Sequence, residues 1–377
     1  MRRLKAYIHQ LPDWPRFHWD QEALAAPLAD IRHRQGRLLG RMEGLGFSLQ
    51  KEAELETLTL DVLKSSEIEG EKLDADQVRS SIARRLGLET GGTMPAERDV
   101  EGVVEMTLDA TQNFARPLSA ERLFGWHAAL FPTGRSGMRK IIVGAWRDDA
   151  HGPMQVVSGP IGKEKVHYGA PAASLLDREM SAFLTRANDA GDKTDAVFRA
   201  ALAHVWFVTI HPFDDGNGRI ARAIADWQLA RSEDSAQRFY SMSAQIRHER
   251  SDYYEVLERT QKGTLDVTPW MNWFLGCLGR AFDGTETTLA AVLRKARFWE
   301  SHAGLAMNDR QRAIVNRLLD GFEGKLTTTK WANLAKSSHD TALRDIQDLI
   351  EHGILKKDDG GGRSTSYSLK GSLARDR

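Results

Sequence analysis

Apolar residues recur along this chain mostly at helical spacing. Leu24 to Leu49 and Glu52 to Ser66 each read as a helix, the second with Leu55, Leu58, Val62 and Leu63 on its apolar side. Asp195 to Ile210 carries Val197, Leu202, Val205, Trp206 and Val208, which predicts a buried helix ending at His211. The main strand-like patterning lies in the stretch between a helix ending near Phe131 and another starting from Ser174. There Gly144 to Arg147 is followed by Met154 to Val157, a turn over Ser158 to Gly162, and Val166 to Tyr168, which reads as a β-hairpin. The expected fold is therefore mainly α.

Punctuation divides the chain. Gly87, Gly91, Gly92 and Pro95 predict a loop, so residues 1–95 are expected to form an N-terminal arm with helices and 96–290 a core, with a third unit at 300–377. The arm opens with Trp14, Phe17 and Trp19 between Pro12 and Pro15, and is expected to lie extended on the chain's own helices. The third unit shows helical patterns at Ile314 to Leu319, Trp331 to Ala335 and Thr341 to His352. Two short strands follow, at Gly353 to Leu355 and Ser364 to Leu369.

Composition narrows the class. The 52 basic and 52 acidic residues balance, which argues against a general polyanion binder. The single cysteine, Cys277, sits among Trp273, Phe274, Leu275 and Leu278, so it reads as a buried apolar thiol with no internal disulfide and no cysteine zinc cluster. No apolar run follows Arg2, Arg3 and Lys5, and no stretch is long enough to span a bilayer, so a cytoplasmic location is expected.

The densest chemistry is His211-Pro212-Phe213-Asp214-Asp215-Gly216-Asn217-Gly218-Arg219-Ile220-Ala221-Arg222. Pro212 discourages the preceding helix from continuing. Gly216 and Gly218 allow a ligand to approach the backbone, and their N–H groups with that of Asn217 can form an anion nest. A helix beginning near Arg219 directs its free N–H groups at the same point. Arg219 and Arg222, three apart, share a helix face. Asp215 is a hard oxygen ligand suited to Mg²⁺ shared with phosphate oxygens. His211 can accept a proton as neutral imidazole.

This segment resembles the signature of the Fic family, His-x-Phe-x-Asp/Glu-Gly-Asn-Gly-Arg-x-x-Arg, and matches it at every defined position. The resemblance implies a helical bundle with a β-hairpin flap that holds a target's backbone, and transfer of AMP from ATP with Mg²⁺ to a Ser, Thr or Tyr hydroxyl of a protein, with the chain itself among the candidates. It implies His211 as general base and Asp215 as metal ligand. Gly216, Asn217 and Gly218 would be the anion hole, Arg219 would meet the inner phosphates and Arg222 the γ-phosphate, with Phe213 as a core anchor. It places Tyr253 or Tyr254 at the adenine, with Gln261 as a further hydrogen-bonding candidate.

Ser65-Ser66-Glu67-Ile68-Glu69-Gly70 is similar to the family's inhibitory motif, Ser/Thr-x-x-x-Glu-Gly/Asn. Ser65 and Glu69 lie one helical turn apart, and the resemblance implies that Glu69 pairs with Arg222 and blocks productive ATP binding. Residues 300–377 resemble a winged helix, a fold that often reads DNA through its third helix. Asp340, Asp345, Asp348 and Glu351 face only Arg344 there, so a protein-contact or dimerisation role is preferred and DNA binding stays open. A homodimer is expected from the family. Two alternatives stand beside the autoinhibited transferase: a DNA-binding regulator with a nucleotide-sensing core, and an enzyme that removes AMP.

Overall fold

A computed structural model describes residues 7–88, 95–160, 162–319, 321–322, 324–358 and 365–370, without the side chains of residues 287–288. It forms two compact units, one of residues 7–88 with 95–286 and one from 287 onward. The expected boundary near residue 95 is therefore not a packing boundary: the N-terminal helices and the core close around one interior. Most of the Gly87 to Pro95 loop lies outside the described residues.

The first unit opens with an arm, Tyr7 to Asp20, that packs on its own chain. Trp14 donates its indole N–H to Glu179 at 2.7 Å, and Phe17 meets Trp206 edge-on. Four helices follow: α1 (Gln21–Glu43), α2 (Phe47–Ile68), α3 (Ala75–Arg85) and α4 (Arg98–Gln112). Asp20 and Asp74 cap α1 and α3 by accepting an N–H three residues on, satisfying a donor the helix leaves unpaired. Next comes α5 (Ala120–Leu130), then the short strands β1 (Arg135–Ser136) and β2 (Arg139–Lys140). The hairpin β3 (Gln155–Ser158) and β4 (Lys165–Gly169) precedes α6 (Leu176–Ala187).

The centre is an antiparallel pair, α7 (Ala196–Ile210) and α8 (Asn217–Glu233). Both are buried along nearly their whole length; α7 is apolar nearly all round, as a buried helix is expected to be, whereas α8 takes Arg219, Arg222, Asp226 and Gln228 inside with it. In the loop 211–216 between them, Asp215 is exposed, His211 and Asp214 are half-buried, and Pro212, Phe213 and Gly216 are buried. Around this pair lie α9 (Met242–His248), α10 (Arg250–Gln261) and the start of α11 (Thr268–Ser301). Cys277 is fully buried on α11, and its thiol is pushed up by burial, as the apolar setting anticipates.

Two expectations are corrected here. Gly144 to Arg147 is not a strand: Arg147 is pulled inward, 3% exposed, to serve as a backbone clamp described below. The helix after the glycine loop begins at Asn217, two residues before Arg219.

The second unit holds the end of α11, then α12 (Asp309–Leu319), β5 (Leu326–Thr327), α13 (Thr328–Leu334), α14 (His339–Glu351), β6 (Leu355–Lys357) and β7 (Ser366–Leu369). Its antiparallel sheet runs β5-β7-β6, over a core of Trp331, Ile346, Leu349 and Tyr367. The acidic Asp345 of α14 is turned inward onto Arg310 at 2.9 Å. Among the described residues no helix is long and apolar enough to cross a membrane.

Candidate active site

The end of α7 sets the first group. His211 is left-handed, φ 53° and ψ 58°, a conformation uncommon outside glycine. Its N–H donates to Phe207 O at 3.0 Å, closing the helix. Its Nδ1 lies 3.2 Å from Val208 O. A carbonyl only accepts, so Nδ1 carries the proton and Nε2 keeps a free lone pair. Burial pushes the imidazole pKa down to about 4, with the Arg147 cation adding to the fall, so the ring is neutral at pH 7.

Several residues far apart in sequence hold that loop. Arg147 donates from Nε to His211 O at 2.8 Å and from its backbone N–H to Pro212 O at 2.9 Å. Asp214 accepts the Ile142 N–H at 2.9 Å. Asn217 turns its amide inward, bonding both the N–H and C=O of Phe213 at 3.0 and 2.8 Å, so its side chain shapes the loop and its backbone faces the opening. Phe213 is wholly buried and stacks on His127, ring centroids 4.2 Å apart. Gly216 has φ 76°, and a Cβ there would sit 2.9 Å from the Phe131 ring, so only glycine fits.

The first turn of α8 then presents N–H groups that its own ladder cannot use, since the first helical bond is Ile220 N–H to Gly216 O at 3.0 Å. Arg219 and Arg222 are each 3% exposed. Arg219 Nε and Arg222 Nη1 are buried donors with no partner among the described residues. Unpaired buried guanidinium donors at a helix N-terminus mark a place for an anion.

Protein carboxylates stand there instead. α2 ends in a Schellman cap: Gly70, φ 89°, donates to Glu67 O at 3.1 Å and Glu71 to Ser66 O at 3.0 Å. Arg250 adds a bond from Nε to Ile68 O at 2.8 Å. The cap aims Glu69 at α8, where Oε1 lies 2.9 Å from Arg222 Nη2. Ser65 grips the same guanidinium, its hydroxyl at 3.0 Å from Nε and its carbonyl at 2.9 Å from Nη2. Burial alone would lower the Arg222 pKa, but the Glu69 carboxylate together with the Tyr253 and Tyr254 hydroxyls outweighs it, and the net shift is upward. A Cβ on Gly218 would fall 2.3 Å from Glu69 Oε1, so the carboxylate lies across the helix start. Arg219 is met by Glu71, Nη1 to Oε2 at 2.5 Å.

Asp215 is exposed, with one oxygen accepting Gly216 N–H at 2.6 Å and the other bonded by Ser136. No group of three or more His, Cys, Asp or Glu side chains among the described residues is arranged to hold a metal. One accessible carboxylate beside an anion nest does fit Mg²⁺ that shares phosphate oxygens, because that ion keeps most of its shell from phosphate and water.

The adenine assignments change. Tyr253 is 1% exposed, bonded to His204 Nε2 at 2.9 Å and packed against Trp270 and Trp273, so it is a core residue with no face for a base. Gln261 is buried too, its amide 3.4 Å from Thr209 Oγ1. Tyr254, 39% exposed with the Arg250 cation over its ring, keeps a surface position. Sequence reasoning missed Arg147, Arg250 and Glu71. The first two carried no signal, whereas Glu71 directly follows the recognised motif.

A buried helix pair joined by a glycine loop, with a neutral histidine ending one helix and two arginines starting the next, defines a helical domain with an anion-binding site. The chain carries a domain of the Fic family: residues 117–229 match the family described as Fic/DOC family. Residues 7–88 match a domain of unknown function, DUF4172. Among curated proteins, the chain is similar to "Protein adenylyltransferase Fic" of Nematostella vectensis, 34% identical over 118 residues, 30% of this chain and 25% of that protein. The same-named protein of Drosophila grimshawi is 34% identical over 84 residues, 22% of this chain and 16% of its own. The chain thus spans a quarter or less of these relatives. Among solved structures, a Fic family protein from Desulfovibrio desulfuricans aligns at TM-score 0.51 with 20% identity, covering 93% of this chain and 97% of the other. A Fic domain containing signaling protein from Bacteroides thetaiotaomicron aligns at 0.51 with 21% identity over 70% and 97%. These last two show the fold.

Proposed function

We propose that this protein is an autoinhibited adenylyltransferase, moving AMP from ATP to a protein hydroxyl. One observation carries the reading: His211 Nε2 is free to act as a base beside a helix start whose two arginines are occupied by the chain's own carboxylates. His211 takes the proton of the attacking hydroxyl while its oxygen bonds to the α-phosphorus and the bond to pyrophosphate breaks. The N–H groups of Asn217, Gly218 and Arg219 stabilise the charge that grows on the phosphate oxygens, in place of the expected Gly216 N–H, which is taken by Asp215. Asp215 would hold Mg²⁺, which would offset charge on the departing phosphates. Incoming phosphate charge also raises the His211 pKa from its low resting value, towards the range of an effective base.

Glu69 opposes this by taking Arg222, the partner expected for the γ-phosphate. The β3–β4 hairpin serves as the flap; it is tied to α10 through His167, whose Nδ1 lies 2.6 Å from Glu258. Its exposed Val157 and Val166 leave it able to pair with an extended target segment. The second unit, by its element order, is read as a winged helix serving protein contact.

The test is intact-protein mass spectrometry after incubation with ATP and Mg²⁺. AMP adducts on Glu69→Gly, and none on wild type or Glu69→Gly/His211→Ala, are expected. If Glu69→Gly, correctly folded, modifies neither itself nor any protein of a cell extract, the transferase reading fails.

A further inference from the structure

We infer that Glu71 is a second gate carboxylate, which holds Arg219 against the inner phosphates of a nucleotide independently of Glu69. The inference rests on reading the glycine loop as a nucleotide-phosphate site and names a regulator of that site. Its origin is the helix cap. In a Schellman cap the residues on either side of the left-handed glycine are fixed by backbone bonds, here Gly70 to Glu67 and Glu71 to Ser66. One turn of backbone therefore delivers two carboxylates to the start of α8. Glu69 reaches Arg222 at 2.9 Å and Glu71 reaches Arg219 at 2.5 Å. The two arginines, three residues apart on a helix, are separated by about 4.5 Å along its axis, on the scale of successive phosphates.

The two partners of the second pair are unequal. Arg219 is 3% exposed and its guanidinium rests 5.1 Å from the Phe131 ring centroid, so it stays in place. The Glu71 side chain is 47% exposed and has open solvent to swing into. Burial raises its pKa more than Arg219 lowers it, with Asp215 and Glu69 adding to the rise, so the carboxylate is held in a crowded acidic setting. Leaving Arg219 unpaired in a buried site is costly, which means that Glu71 departs only when another anion takes its place. The unpartnered Nε of Arg219 offers that anion a further donor.

ADP separates this gate from the first, because it lacks the phosphate expected at Arg222. Calorimetric binding of ADP with Mg²⁺ and of ATP with Mg²⁺ is measured on the full chain as wild type, Glu69→Gly, Glu71→Gln, Glu71→Ala and Glu69→Gly/Glu71→Gln. Both Glu71 substitutions are expected to tighten ADP about twofold to fivefold, the modest range of a half-exposed ion pair, and to do so both with and without Glu69. A merely structural pair predicts the opposite, weaker binding with a lower melting temperature. Unchanged or weakened ADP binding in both substitutions, while Glu69→Gly binds nucleotide, overturns the Glu71 gate and leaves the proposed function standing. Failure of every variant to bind either nucleotide overturns both.

Discussion

Arg147 is the residue whose loss tests the geometry most directly. Its side chain is fully buried and donates to three acceptors: His211 O at 2.8 Å, Pro171 O at 2.6 Å and Asp149 at 3.1 Å. Replacement by Met keeps the volume and removes all donors. Two buried carbonyls then lose their partners, at about 1–3 kcal/mol each. Relief from burying a cation, whose pKa burial already lowers, returns part of that. The expected net loss is about 3–5 kcal/mol, or roughly a 10 °C fall in melting temperature for a unit of this size. Activity should fall further than stability explains, because the lost bond holds the carbonyl of the strained His211 itself. In a Glu69→Gly background, AMP transfer well below melting should drop at least about tenfold, the effect of a small misplacement of a base. Arg147→Lys, with one reaching cation, should recover part of the stability and little of the rate. Arg147→Met that melts within about 2 °C of its parent and transfers AMP at the parental rate would refute the clamp.

The remaining expectations concern the helix start and the buried histidines. In Gly218→Ala the new methyl would meet Glu69 Oε1 at 2.3 Å and must evict it, yet it also fills the phosphate cradle. That variant should show no gain in AMP transfer, and in the Glu69→Gly background it should lose most of it; activation equal to Glu69→Gly would refute the cradle. His204 is buried, and burial pushes its pKa down to about 3. The unfolded chain therefore binds a proton that the folded chain refuses, and this contribution to stability is complete above about pH 6.5 and lost as pH falls towards the folded value. Asp226, raised to about 8 by burial, acts in the opposite direction, so the readout is a difference. Between pH 6.5 and 5 the stability slope of His204→Gln should fall below that of wild type by an amount growing from about 0.7 to about 1.4 kcal/mol per pH unit, and equal slopes in denaturant titrations would refute the assignment.

Some of this protein was legible from short stretches of sequence. The helical character of the chain, the loop at 211–216 and the helix end at Gly70 all depend on neighbours within about five residues, so spacing and the φ demands of glycine suffice. Ser65 and Glu69 could be placed on one face because four residues make roughly one turn. Family resemblance then supplied the long-range partner Arg222, which no local rule gives.

What only the tertiary structure decided is which side chains meet across the chain. Glu71 and Arg219 are 148 residues apart, and Arg147 and His211 64 apart. Nothing in the periodicity of 144–147 distinguishes a strand from a loop that turns an arginine inward to bond carbonyls. Tyr253 and Tyr254 are adjacent and chemically identical, yet helical rotation buries one against Trp270 and leaves the other at the surface. Local sequence fixes backbone conformation through sterics and hydrogen bonds between near neighbours. The occupancy of an arginine depends on which helices pack together, and that is set by burial of the whole apolar surface at once.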